Sequence, residues 1–151
     1  MKMFVILNIS VFSLLFFSNC INVKPKGIGL NNGKFYDCPD SPNCINTMAS
    51  ANDKIHYSEP ISYQGSLQEA KLKILNIINS TPRTKILDES ENYIHAIYIS
   101  KMMKFVDDVQ FYFDDNTKLI HIRSASRVGY SDLGVNRKRV DMIKKEFYGE
   151  K

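Results

Sequence analysis

Residues 105–124 read FVDDVQFYFDDNTKLIHIRS, and the pairing of this stretch with itself decides the fold. Aromatic and β-branched residues alternate with polar ones on either side of Asp114-Asp115-Asn116-Thr117, the pattern of two strands joined by a turn. A two-residue turn at Asp115-Asn116 pairs Asp114 with Thr117. Followed outward, that register sets Phe111 against Ile120, Val109 against Ile122 and Asp107 against Ser124 on one side of the sheet. The other side sets Tyr112 against Leu119, Gln110 against His121, and Asp108 against Arg123, a favourable pair of opposite charges. Asp107 thereby shares a face with Phe105, Val109, Phe111 and Phe113. A carboxylate there must be paired or hydrogen-bonded to stay ionised, and Ser124 and Arg127 are the expected partners.

Further strands are expected over 61–64, 85–88 and 93–100 from the same residue types and the polar turn clusters between them. Ser66-Leu67-Gln68-Glu69 is a capping box. Leu67, Ala70, Ile74, Ile77 and Ile78 then recur at helical spacing until Pro82 stops the run. A last helix is expected from near Gly134 to about Tyr148, with Val140, Ile143 and Phe147 on one face. The order β-α-β-β-β-β-α is that of an α+β fold, a curved antiparallel sheet with helices on one face. It resembles the TATA-binding-protein-like topology, which hosts binding modules and enzymes alike, so fold alone does not assign an activity.

The chain of 151 residues has room for one such domain. At its front, Lys2 precedes an apolar run over residues 4–17 broken only by Asn8, Ser10 and Ser13. As a helix this run reaches roughly 21 Å, short of the roughly 30 Å hydrocarbon layer, which favours a secretion signal over a permanent span. Phe17-Ser18-Asn19-Cys20 resembles the bacterial lipobox, with Phe17 and Asn19 standing where Leu and a small residue are usual. The expected division is a signal over 1–19, a tether over 20–34 and one α+β domain over 35–151. Cys20 is the expected lipidation site, with simple secretion and an uncleaved anchor as alternatives. The chain is thus read as an exported, membrane-anchored lipoprotein of the cell envelope, in either the inner or the outer membrane.

Three cysteines leave one over in an exported chain. With Cys20 acylated, Cys38 and Cys44 remain to close Cys38-Pro39-Asp40-Ser41-Pro42-Asn43-Cys44 as a disulfide. Metal binding is the alternative, and it lacks both the two-residue cysteine spacing and a second ligand pair. No cofactor or metal motif is present.

Net charge is +4, but residues 118–145 hold eight basic residues against Asp132 and Asp141. That excess fits an anionic ligand, a phospholipid surface or a solvated helix face; export disfavours nucleic acid. Within it, the run from Arg123 to Arg139 joins the last strand to the last helix. Its Arg123, Ser124, Ser126, Arg127, Asp132, Asn136, Arg137 and Arg139 either hold a phosphate or carboxylate or form a structural network with Asp107 and Asp108. No nucleophile-elbow sequence surrounds His56, His95 or His121. His121 is expected to face Gln110. The leading reading is therefore a non-enzymatic binding module for an anionic ligand or an envelope protein. An envelope hydrolase using Asp107, His56 or a loop serine, and a structural envelope component, are the alternatives.

The Cys38–Cys44 segment, the Asp53, His56 and Pro60 spacing, Phe105-Val106-Asp107-Asp108-Val109 and the run from Arg123 to Arg139 together resemble domain of unknown function 1499. That family occurs in bacteria and plants. The resemblance implies a small exported or membrane-attached protein, and implies no activity and no catalytic residues.

Overall fold

The computed structural model describes residues 27–150; the expected signal, Cys20 and the first part of the expected tether lie outside the described residues. Two short strands, β1 (Leu30–Asn31) and β2 (Lys34–Phe35), form a hairpin. Then come β3 (Cys44–Asn46), β4 (Ile61–Ser62), α1 (Leu67–Ser80), β5 (Thr84–Ser90), β6 (Tyr93–Ile99), β7 (Val106–Asp114), β8 (Leu119–Ser126) and α2 (Val135–Tyr148). Six strands build one antiparallel sheet in the order β3-β8-β7-β6-β5, with β4 also paired to β8. The α+β class and the succession from β4 to α2 are those expected from the sequence; β1, β2 and β3, the last an edge strand of the main sheet, were not expected.

The α1 helix starts where the capping box places it. Ser66 Oγ accepts from Glu69 N at 3.2 Å, and Glu69 Oε2 accepts from Ser66 N at 3.0 Å. Ala70, Ile74, Ile77 and Ile78 are buried against Ile94 and Ala96 of β6, Val109, Phe111 and Phe113 of β7, and Ile120 and Ile122 of β8. Val140, Ile143 and Phe147 of α2 complete the same core, so both helices lie on one face of the sheet. Replacing Ser66 by alanine removes the cap acceptor. It is expected to cost about 1 kcal/mol, a fall of several degrees in thermal midpoint that a melting curve will register.

The β7–β8 register differs from expectation by two residues. Phe111 stands opposite Ile122, Val109 opposite Ser124, and Asp107 opposite Ser126. The connection spans residues 115–118 instead of two residues. Asp114 Oδ1 accepts from Asn116 N at 3.0 Å and Thr117 N at 3.4 Å, and Lys118 adopts φ +56° before Leu119 pairs with Asp114. A slip of two preserves the faces, because side chains alternate with period two, but it changes each named partner. Asp108 lies opposite Ala125, not Arg123, and Arg123 lies opposite Gln110. His121 lies opposite Tyr112, not Gln110, with the ring centroids 6.4 Å apart.

The far face of the sheet is crossed by a segment that the sequence assigned to the tether. Gly29 N donates to Gln110 Oε1 at 2.8 Å, and just past the expected tether Tyr36 O accepts from Arg123 Nε at 2.9 Å. The β1–β2 turn holds Asn32 at φ +50° and Gly33 at φ +76°, the conformation an Asn-Gly hairpin turn requires. Part of the glycine- and asparagine-rich stretch is therefore folded structure.

Candidate binding site

Neighbouring side chains on a strand point to opposite faces, and Asp107 and Asp108 divide the polar residues of the domain accordingly. Asp107 faces the helices. Its Oδ2 accepts from Arg139 Nη2 at 2.6 Å, so the partner is Arg139 and not the expected Ser124 or Arg127. Arg139 Nη1 also donates to Ser124 Oγ at 3.0 Å and Asn136 Oδ1 at 2.6 Å, and its guanidinium sits 4.8 Å over the Tyr98 ring.

Asn136, fully buried, is the hub of this network. Its amide nitrogen donates to Asn43 O, Ser126 Oγ and Asp132 Oδ2, and its Oδ1 accepts from Ser124 Oγ. Gly134 offers α2 no side-chain cap, and Asp132 supplies one instead, accepting from Gly134 N at 2.9 Å and Asn136 N at 2.6 Å. Arg137 reaches outward to Tyr57 O at 3.0 Å and Ile55 O at 2.8 Å. That ties α2 to the turn where His56 Nδ1 meets Asp53 Oδ2 at 2.7 Å. The His56 hydrogen bond holds the Asp53 carboxyl below its usual range. No side-chain hydrogen bond joins any two of Asp107, His56, Ser124 and Ser126; Asp107 bonds Arg139, His56 bonds Asp53, and both serines bond Asn136.

Asp108 faces away from the helices and is almost fully buried. Arg127 grips it with two hydrogen bonds, Nε to Oδ2 and Nη2 to Oδ1, both 2.8 Å. His95 Nε2 adds a third to Oδ1 at 2.8 Å. Burial alone would raise this carboxyl, but the His95 and Arg127 hydrogen bonds and charges outweigh it, and the net shift is downward. Beside it, Gln110 Oε1 accepts from Tyr93 Oη at 2.8 Å, and burial drives the Tyr93 hydroxyl above its ordinary range. Arg123 completes the row with Nε to Tyr36 O and Nη2 to Asp37 O. Burial pulls its guanidinium down, and the Asp108 charge opposes that.

Arg123, Arg127 and Asp108 meet Asp37-Cys38-Pro39 and Gly27-Ile28 around an open cleft of about 490 Å³. His95, Tyr93 and Gln110 were not among the site residues expected from the sequence. Tracing the β6–β7 pairing would have found them, because it sets His95 opposite Gln110 and on the same face as Asp108.

Residues 34–147 match the family described as Protein of unknown function (DUF1499). The chain belongs to the DUF1499 family. No curated protein matches it. The matched span of this DUF1499 domain contains Asp107, Asp108 and the whole run from Arg123 to Arg139, and it begins with β2. It also contains Cys38 and Cys44, whose sulfurs are 2.08 Å apart, a disulfide beside the cleft. Loop-closure entropy for a ring this short amounts to about 2 kcal/mol. Reducing the bond, or replacing both cysteines by serine, is expected to lower unfolding stability by that amount in denaturant titration. Among the described residues no helix is long and apolar enough to cross a membrane.

Proposed function

We propose that the protein is a lipid-anchored component of the bacterial cell envelope whose domain is a non-enzymatic binding module. Its ligand is a small anion or an anionic group on a larger molecule, held in the cleft beside the disulfide. One observation carries this reading: a buried guanidinium, Arg123, and a part-buried one, Arg127, line the cleft against one buried carboxylate, and Arg127 already grips that carboxylate with two bonds. Arg123 is only 5% exposed, and both its partners are main-chain carbonyls, which orient the guanidinium without cancelling its charge. A fixed, desolvated cation is a ready counter-charge for phosphate or carboxylate.

The non-enzymatic part follows from the site chemistry. A hydrolase needs a nucleophile and a base within hydrogen-bond reach, and the candidates for those roles are each bound elsewhere. The anchor follows from the leader and Cys20, as does placement in the envelope.

Two measurements test the proposal. Thermal melting of the detergent-extracted protein in rising inorganic phosphate or citrate should show a midpoint that climbs with ligand concentration, and Arg123→Gln should abolish the climb. A midpoint indifferent to both anions would sink the ligand. Intact mass should report a chain starting at an acylated Cys20 and two hydrogens lighter for the disulfide; an unprocessed chain would sink the anchor.

A further inference from the structure

Among the described residues, seven of the twelve large apolar side chains left exposed belong to two loops. Met102, Met103 and Phe105 are on the β6–β7 connection, exposed by 87%, 68% and 52%. Val128, Tyr130, Leu133 and Val135 are on the β8–α2 connection or at its end, with Tyr130 75% and Leu133 86% exposed. The two loops are at one end of the sheet, since Ile99 pairs with Val106 and Arg127 N donates to Val106 O at 3.1 Å. The α1–β5 connection joins them there, with Ile99 N donating to Arg83 O at 2.9 Å. Arg83, Ser100, Val135 and Lys138 then line one groove of about 380 Å³.

Apolar residues gathered at one end mark an interaction surface, and the charges around them identify what it meets. Arg83, Lys101 and Lys104 are exposed on these connections, and Lys138 is exposed on the first turn of α2 beside them. Residues 99–106 contain no acid, residues 127–135 contain only Asp132, whose oxygens are taken by the first turn of α2, and Asp107, the one acid on the groove wall, is paired with Arg139. The exposed acids Asp37 and Asp40 belong to the disulfide segment on the flank. Tyr98, on the groove wall, has a buried hydroxyl that makes no hydrogen bond; Thr81 is its neighbour, but the geometry does not close one. A symmetric contact with a second copy through this end would set like charges against each other.

We propose that this three-loop end docks on a phospholipid bilayer bearing anionic headgroups, with Met102, Met103, Tyr130 and Leu133 entering the headgroup layer. The surrounding lysines and Arg83 meet the headgroup phosphates, and the groove under Tyr98 receives one of them. Apolar and aromatic tips ringed by cations are what an interfacial site requires. The inference stands on the loops and does not need the cleft or the acylation of Cys20. Where Cys20 is acylated, the seven residues to Gly27 span at most about 25 Å, which keeps the domain close enough for this contact.

The chain has no tryptophan, so a single one introduced by substitution is a clean reporter. Full-length M103W, L133W and L72W, the last on exposed Leu72 of α1, are reconstituted on vesicles with and without anionic lipid and with brominated acyl chains. The expected result is blue-shifted emission for M103W and L133W, quenched at least twofold by brominated anionic vesicles, and no change for L72W. Neutralising Lys101 and Lys104 together with glutamine should weaken that quenching about 25-fold in its dependence on anionic lipid, about fivefold per charge. The same quenching in Cys20→Ser would show that docking is independent of acylation. Vesicle flotation of M103W and L133W without quenching of either tryptophan would leave the anchor standing and overturn the docking. A concentration-dependent blue shift with no bromolipid quenching would assign this end to a protein contact and overturn it too.

Discussion

Asp108→Ala is expected to destabilise the domain by about 3–5 kcal/mol at neutral pH, enough to unfold a large fraction of it at growth temperature. The size comes from what the substitution strands. Arg127 and His95 both bond the nearly fully buried Asp108, and the loss of the carboxylate removes three short hydrogen bonds and the charge opposite a guanidinium that is mostly shielded from water. Equilibrium unfolding in urea measures it.

The same carboxylate sets an acid limit on stability. Its folded-state pKa lies below the ordinary 3.8, so its contribution is complete above about 3.8 and is lost as pH falls through the lower folded value. His121 acts in an earlier window. Burial lowers its pKa from 6.5, so the unfolded chain takes up a proton first, and stability declines as pH drops below 6.5 until the folded ring titrates. Unfolding free energy against pH should therefore fall in two steps, with His121→Gln removing the upper one and Asp108→Asn reducing the lower, which Asp53, Glu69, Asp114 and Asp115 share.

The elements were legible in the sequence because each carries a local signal. The Ser66–Glu69 box, the spacing from Ala70 to Ile78 and the aromatic alternation over 105–124 all report on the residues next to them. What failed was what depends on distant residues. The β7–β8 register turned on whether the loop closes in two residues or four. That was decided by Asp114 bonding to the next turn and by Lys118 accepting a left-handed conformation, which nothing in its side chain announces.

The candidate site fared likewise. The cluster Asp107, Asp108 and Arg123–Arg139 was found by composition, and each aspartate was expected to be paired. The partners were not found. Asp107 took Arg139 from the helix and Asp108 took Arg127, because the strand sends them to opposite faces and a two-residue slip moves every cross-strand neighbour. The folded part of the tether was missed because glycines and asparagines read as linker, although Asn32-Gly33 is itself a hairpin signal.

The Asp107–Arg139 pair offers the second large effect. Arg139→Ala removes the only cation within reach of Asp107 among the described residues, two further hydrogen bonds and the contact over Tyr98, and should cost about 3–5 kcal/mol. Asp107→Ala should cost about as much, since Arg139 is then left charged beneath α2. The informative quantity is the double substitution. Once both charges are gone, neither single variant's stranded ion remains, so the pair together should cost markedly less than the sum, by at least about 1–3 kcal/mol. Additive losses would mean that Ser124, Asn136 and Tyr98 hold Arg139 without help from the carboxylate. Asp107 would then be a passenger in the network, and the Asn136 hub alone would fasten α2 to the sheet.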